Sequence, residues 1–552
     1  MPTTPVDMKS LAQTHFDLII IGGGINGAGI ARDASLRGLK VLLLDKSDFA
    51  SGTSSRSTKL IHGGIRYLEN YEFKLVWEAL HERKTLTQIA PQLVHPIPFI
   101  IPVYKGDKRP LWLIKLGMLL YDLMAGFKNI KWHTTLSAKK LHQIEPHLGT
   151  KNLQGGGIYY DCQTNDARLT LANIQDAATN GAIVKNYTEV ARIHNHAKGV
   201  EIETQDTHTN EKQIYTAEFI VNVTGPWLDE NLAKWHLENL KNAATNNQKS
   251  EKLQHETHPK KHLRLTKGIH FFVPKLTTDY AVLISAKKDN RVFFVIPHGK
   301  FSLVGTTDTD YTQDPDKVTA TEEDIKYLLT ELNRVFPNEP RTRKDVTGIY
   351  AGLRPLLNQE NKKAGQVSRE YHIETVTIGN AKLLNVIGGK LTTYRSLSQK
   401  VTDIIFHALS KTSPLCTTAT KRLPGSAFAE PTLEEFTQTQ LKMNHQLQTL
   451  PQEIAKNLIT TYGSEIKNVL PYLNLSHLPT PHAPTTRLIP TSPTIWAELS
   501  YCIDHEYVKN PEDFLCRRTE LYKCLTEEQK AVLGEKISQE IHKTKSQHSP
   551  KA

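Results

Sequence analysis

The chain is short of cysteine, of aromatic residues and of long apolar runs, and each shortage closes a class of explanation. Its five cysteines, Cys162, Cys416, Cys502, Cys516 and Cys524, are scattered without CxxC pairs or metal-ligand spacing. An odd, unpatterned set argues against a disulfide framework or a zinc site, and for buried thiols in a reducing compartment. No run of about eighteen uncharged apolar residues occurs. The nearest, "PLWLIKLGMLLYDLMAGF" at 110–127, is broken by Lys115 and Asp122, so no membrane-crossing helix is expected. The N-terminus "MPTTPVDMKSLAQTH" lacks the apolar core of a secretory signal. Aromatic residues make up only 7% of the chain, and its net charge of +11 is diffuse. That argues against the clustered basic and aromatic surface of a nucleic-acid binder. The charge suits an anionic substrate, cofactor or membrane surface. At 552 residues the chain exceeds one hydrophobic core, so two or three domains are expected.

What is present is most ordered near the start. "FDLIII", 16–21, is a β-branched apolar run of the kind buried on both faces of a parallel sheet. Gly22, Gly24 and Gly27 follow at GxGxxG spacing, then a helical pattern to Gly38, then "KVLLLD" ending at Asp45. Gly22 permits the tight turn, Gly24 lets the backbone approach a pyrophosphate, and Gly27 lets the helix pack on the sheet. The helix N-terminus attracts the phosphates, and Asp45 is placed for ribose hydroxyls. The unit implies a dinucleotide and does not choose between NAD and FAD. Many FAD folds carry Glu at the Asp45 position.

The hydroxyl-rich loop Ser51–Ser57 leads into "SSRSTKLIHGGIRYLE", where Lys59, His62 and Arg66 lie between apolar neighbours. With "GGGINGAGIARDASLRGL", "VNVTGPW", "FSLVGTTDTDY", "GLRPL" and "GGKLTTYR", this segment closely resembles the FAD-dependent glycerol-3-phosphate dehydrogenases of respiratory membranes. The resemblance spans about 16–525. It implies oxidation of sn-glycerol 3-phosphate to dihydroxyacetone phosphate, with electrons passing through FAD to a membrane quinone. It places Ser54, Ser55, Thr58, Lys59, Leu60 and His62 toward FAD, together with Gly225 and the run Gly389, Lys390, Leu391 and Thr392. Amides around Gly389 and a helix N-terminus would then favour the anionic reduced flavin. Arg66, Arg354 and Lys390 match substrate- and phosphate-contacting positions, as a polyol phosphate dianion requires. Tyr67, Thr306, Thr307 and Arg369 are further candidates. His62 is the favoured general base and His270 a positioning group, since a neutral imidazole suits removal of the hydroxyl proton.

The expected fold class is α/β: a doubly wound, Rossmann-like FAD-binding domain, an antiparallel-sheet substrate domain and a C-terminal helical domain. The FAD domain is expected to be discontinuous, at 14–95, 155–228 and 350–408. The substrate or cap domain takes 96–154 and 229–349, with a polar insertion at 236–262, and the helical domain 415–545. "TATEEDIKYLLTELNRVF" reads as a helix capped by Thr321, and "KTKSQHSPKA" as a disordered tail. The segment 105–131 mixes Trp112 and leucines with lysines, which reads as a helix lying on an anionic leaflet, peripheral to the cytoplasmic face of an inner membrane. The alternative is a core helix with Lys115 and Asp122 toward solvent. Three rival functions stay open: an oxygen-using glycerol-3-phosphate oxidase, a tRNA-modifying flavoprotein and a scaffold. A homodimer is open as well. Neither a metal nor nucleic acid is expected.

Overall fold

A computed structural model describes residues 14–235, 261–359, 369–378, 381–474 and 483–548. All but the last two residues of the 236–262 insertion lie outside these. Two sheets carry the molecule. The first is built from three chain segments around β1 (His15–Ile21) and β2 (Val41–Leu44). β1 lies parallel to Lys212–Asn222 on one side and to β2 on the other. Ala381–Ile387 and Ile183–Lys185 extend the parallel core outward. Strands buried on both faces need apolar runs rather than alternation, and Leu18–Ile20 and Val41–Leu44 are almost fully buried. Helix α1 (Ile25–Leu36) packs on one face beside the helix Asp166–Thr179.

The second sheet has ten strands, almost all antiparallel. Its spine pairs Val94–Tyr104 with Leu153–Thr164, and Leu263–Pro274 with Thr347–Leu357. Three strands expected in the first domain by sequence, Leu60–Ile61, Leu153–Thr164 and Thr347–Leu357, are hydrogen-bonded into this second sheet. The hydroxyl-rich loop before Leu60 lines the cofactor cleft, but the strand that follows it pairs in the second sheet. The helix Glu322–Val335 is capped as read: Thr321 and Asp324 exchange hydrogen bonds.

Helix α2 (Phe73–Ile89) and helix α3 (Leu111–Ala125) lie side by side at one edge. In α3 the apolar face is turned both ways: Met118 and Tyr121 are buried, whereas Trp112 is 67% and Leu123 61% exposed. Asp122 is not on the solvent face. It is buried and accepts hydrogen bonds from the backbone and ring of His133. Among the described residues no helix is long and apolar enough to cross a membrane.

Residues from Leu433 onward form a helical domain around Trp496, Phe514 and Ile537. Its final helix runs from Glu527 to His548, so most of the segment read as a disordered tail is helical. The domain is locked to the first by buried ion pairs. Arg518 forks onto both oxygens of Asp48 at 2.8 and 2.9 Å, Arg517 also meets Asp48, and Arg168 forks onto Glu506. Breaking one partner of a buried pair leaves an uncompensated charge, which costs about 3–5 kcal/mol. Asp48→Ala is therefore expected to lower unfolding stability by about that amount, measured by denaturant titration of the FAD-loaded protein. An unchanged midpoint would contradict this picture of the domain junction.

Candidate active site

Two cavities meet where the sheets join. The first is an open cleft of about 1250 Å³ lined by Gly22, Gly24, Asn26, Asp45, Gly52 to Ser54, Thr224 to Trp227 and Gly388 to Leu391. The second, of about 1440 Å³, is lined by Thr58, His62, Arg66, Tyr67, Thr306, Asp308, Arg354 and Arg369. A smaller hollow shares Thr53, Pro355 and Gly388 to Lys390 with the first, and Arg66, Tyr67, Arg354 and Arg369 with the second. The two spaces are thus continuous.

The first cleft fits a dinucleotide. Gly22 has φ +114°, and a Cβ there would stand 2.6 Å from the carbonyl oxygen of Val223. At Gly27 a Cβ would come within 1.9 Å of the Gly22 oxygen, so only glycine lets α1 start so close to the strand. The first turn of α1 carries no acidic residue, which leaves its positive dipole end to a phosphate. Ser54 Oγ accepts a hydrogen bond from the Ile25 amide at 2.9 Å and pins the hydroxyl-rich loop against the helix start. Asp45 accepts from the amides of Gly23 and Ser47. Burial pushes its carboxyl up to about 6, against the pull of these amides, so it is ionised near neutrality and keeps lone pairs for ribose hydroxyls. Asn26 donates to the carbonyl of Gly388 while its own Oδ1 has no partner. This ties the glycine motif to the second glycine turn, where Gly388 and Gly389 both have positive φ.

The second cavity is marked by its charge. Arg354 donates to Thr306 Oγ1 at 2.8 Å and to the Thr307 carbonyl, and pairs with Asp308 at 3.2 Å. Arg369 pairs with the other oxygen of Asp308 at 3.0 Å, and its Nη1 is buried without a hydrogen-bond partner. Lys390 Nζ lies 3.7 Å from the centre of the Tyr67 ring and is likewise buried without a hydrogen-bond partner. Arg66 lies 5.2 Å from the same ring. Of the carboxylates on this lining, Asp308 pairs with two of these four cations, Arg354 and Arg369, while Glu69 and Asp289 are paired with Arg109 and Arg291. Burial lowers Lys390 and brings Arg354 down to about 10. Burial raises the Tyr67 phenol, but Lys390, Arg66 and Arg369 outweigh it and bring it down to about 7. Burial, then Lys390 and Arg66, drive His62 down to about 3. Burial is the first cause at His62, Lys390 and Arg354, and at all four groups the neighbouring cations push downward as well, an effect that a bound anion would oppose.

His62 sits at the mouth between the cavities. Its backbone amide donates to Thr392 Oγ1, whose hydroxyl in turn donates to the His62 carbonyl. His270 is placed otherwise than His62. It is buried behind the wall, stacked on Tyr350 with centroids 5.0 Å apart, and its Nε2 meets Thr58 Oγ1 at 2.9 Å. It reaches the cavity only through Thr58. Lys59 and Leu60 do not line either cavity. Lys59 is 1% exposed and ion-paired to Asp166 at 2.6 Å and Glu520 at 2.9 Å, and the Leu60 side chain lies in the hydrophobic core. The left-handed φ of 57° at Lys59 turns its side chain toward those carboxylates. Ser55 lies in a short 3₁₀ turn beside the cleft without lining it. Gly225 lines the first cleft and Leu391 closes its far end. Thr307 points away: its hydroxyl accepts from the Ile269 amide.

Sequence reading missed Asp308, Asn26 and Trp227. Asp308 stands inside the quoted run "GTTDTDY", but attention fell on the threonines; an acid beside arginines at a cavity wall is visible only once the strands are paired. Trp227 lines the cleft and donates to Asp316 across it.

Residues 17–395 match the family of FAD dependent oxidoreductases, and residues 416–544 match the C-terminal domain of alpha-glycerophosphate oxidase. Glycerol-3-phosphate dehydrogenase of a Synechocystis species is 38% identical over 93% of this chain and 90% of its own length. D-erythritol 1-phosphate dehydrogenase of Brucella abortus is 36% identical over 94% of this chain and 97% of its own. The glycerol-3-phosphate dehydrogenase of Bacillus halodurans, solved as a complex with FAD, superposes with a TM-score of 0.72 at 29% identity, covering 97% of this chain and 96% of that one. The cofactor of the first cleft is thus FAD, and the chain belongs to the FAD-dependent oxidoreductases, within the group of the FAD-dependent glycerol-3-phosphate dehydrogenases.

Proposed function

We propose that the protein oxidises sn-glycerol 3-phosphate to dihydroxyacetone phosphate and passes the electrons to a membrane quinone. The observation that carries this reading is the excess of cations, Arg66, Arg354, Arg369 and Lys390, around a pocket continuous with the cofactor cleft. A phosphate dianion supplies the missing charge, and arginine forks match its oxygens. Arg354 is pre-set by Thr306 and Asp308, so little side-chain freedom is lost when it binds.

FAD, when bound, supplies the two-electron acceptor for the hydrogen removed from C2. The chain's own residues do the rest. The cations hold the phosphate and thereby the neighbouring carbinol carbon. His62, neutral in the empty pocket, accepts the proton of the C2 hydroxyl. Burial is the larger cause of its depressed basicity, and a dianion offsets the part that Lys390 and Arg66 add. Phe294, edge-on to His62 at 6.5 Å, and Tyr159 close the apolar side and exclude water from the reacting carbon.

The acceptor is argued from a second surface. Trp112, Leu116 and Leu123 of α3 and Phe73 and Trp77 of α2 are exposed together. Exposed Lys74, Lys105, Lys108, Lys115, Lys128 and Lys131 surround them. An apolar face rimmed by lysine suits an anionic leaflet. The reading therefore seats the protein on the cytoplasmic face of the inner membrane and favours a quinone over oxygen. A four-carbon substrate is the second reading, favoured by the Brucella relative's name.

Four outcomes test the proposal. Purified enzyme should reduce a soluble quinone analogue with sn-glycerol 3-phosphate faster than with D-erythritol 1-phosphate, and without forming hydrogen peroxide. Arg354→Ala should cost about 2–5 kcal/mol in kcat/KM, roughly 30- to 5000-fold, because a buried charge partner of the substrate is lost. His62→Asn should lower kcat by about 10²- to 10⁴-fold at similar KM; a loss under about tenfold would remove His62 from the base role. Vesicles of phosphatidylglycerol and phosphatidylcholine should co-sediment the wild type and release Leu116→Asp/Leu123→Asp, whose turnover with the soluble acceptor is unchanged. Equal sedimentation would place the membrane surface elsewhere.

A further inference from the structure

The C-terminal domain reaches the wall of the substrate pocket through a single buried chain of contacts. Glu520 lies in a left-handed turn, φ 54°, just after the arginines that hold Asp48. Its carboxylate enters the second sheet, where it meets Lys59 at 2.9 Å, His298 at 2.9 Å and Lys523 at 3.5 Å. Lys59 is also held by Asp166 at 2.6 Å. Asp166 accepts from the hydroxyl of Ser57, which in turn accepts from the Lys59 amide at 2.9 Å. Tyr350 donates to the Ser57 carbonyl, and Tyr522 of the C-terminal domain packs edge-on to Tyr350 at 6.2 Å. Ser57 and Lys59 are thus fixed on both sides of Thr58. Thr58 is the one residue of this turn whose side chain faces the pocket, and its hydroxyl meets His270.

We propose that Glu520 is a positioning residue for the reaction: by holding Lys59 it sets the backbone at Thr58, and with it the Thr58–His270 pair at the pocket wall and the approach to His62. The inference rests on reading this pocket as the site of polyol phosphate oxidation. Asp166 alone can neutralise the Lys59 ammonium, so the second carboxylate is not required for charge balance. What it adds is direction: the ammonium is pulled from two sides, and the turn around Thr58 cannot rotate. A loop that carries reacting groups tolerates little displacement, since a shift of about 1 Å can cost up to about 10²-fold in rate. The C-terminal domain would then be part of the catalytic scaffold, although none of its residues touches the substrate.

The test compares Glu520→Gln, Thr58→Val and the double variant, all as FAD-loaded full-length protein, with sn-glycerol 3-phosphate and a soluble quinone analogue. Glu520→Gln is expected to lower kcat about tenfold with KM within about twofold. The double variant should be no slower than the slower single one, because both changes act through one turn. Glu520→Asp, which keeps the charge, should recover part of the rate, and it replaces Glu520→Gln if that variant does not retain FAD. Unchanged kcat in Glu520→Gln, or a double variant slowed by the product of the single effects, would overturn the proposal. A wild type inactive on sn-glycerol 3-phosphate would instead overturn the substrate reading. The clamp is then read from the visible circular dichroism of bound FAD: the same change in both single variants, with no further change in the double, supports it, and a wild-type spectrum in Glu520→Gln sinks it.

Discussion

Arg66, Arg354, Arg369 and Lys390 crowd one pocket in which Asp308 pairs with only two of them, and most of the structure serves to hold them there. A buried polar atom without a hydrogen bond is costly, and the protein pays that cost at Arg369 Nη1 and Lys390 Nζ, which have no hydrogen-bond partner among the described residues. The four come from different places: Arg66 from the short helix after the strand Leu60–Ile61, Arg354 from another strand of the second sheet, Arg369 from the connection that follows it, and Lys390 from the second glycine turn. Only the junction of two sheets brings such segments to one point. The strain is relieved when a dianion binds, so the interaction that destabilises the empty pocket is the one that recognises substrate. The same cations lower the Tyr67 phenol against burial and add to the effect of burial on His62, so in the proposed reaction recognition and proton transfer draw on one set of charges.

The cofactor cleft obeys a different constraint, that of close backbone approach. Gly22, Gly24 and Gly27 let α1 begin against the strand, and Gly388 and Gly389 let a second turn face it. Asn26 bridges the two turns. The helical domain fastens the loop between cleft and pocket at both ends: Arg517 and Arg518 on Asp48, and Glu520 on Lys59. Buried ion pairs are weak contributors to net stability but strict about geometry. That is the property a loop with both cofactor and substrate contacts needs.

How much of this could be read in the sequence follows from which interactions are local. The strand, glycine turn and helix at 16–36 are local, as is the capped helix after Thr321, and both were legible in residue spacing. Arg66, Arg354 and Lys390 were found by motif, and the folded chain gathers them into one pocket. Lys59 shows the limit. Its neighbours in sequence face the cofactor and substrate, yet its partners Asp166 and Glu520 lie 107 and 461 positions away, and nothing local reports them. Three strands that fall wholly or mostly within the ranges expected for the FAD domain pair with the second sheet, because pairing depends on distant strands that a local motif does not report. Asp122 shows it on a smaller scale: the alternative core-helix reading turned this carboxylate to solvent, whereas it is buried and held by His133, eleven residues on and beyond the end of the helix.

The most direct measurement is anaerobic mixing of the FAD-loaded protein with sn-glycerol 3-phosphate, with glycerol, and with glycerol plus phosphite dianion, following the absorbance of oxidised flavin. If unbalanced cations are what recognise substrate, the phosphate ester bleaches the flavin promptly, glycerol alone leaves it yellow, and phosphite restores part of the rate with glycerol. Bleaching by glycerol alone at the rate of the phosphate ester, or none with the ester, would contradict the account at its centre.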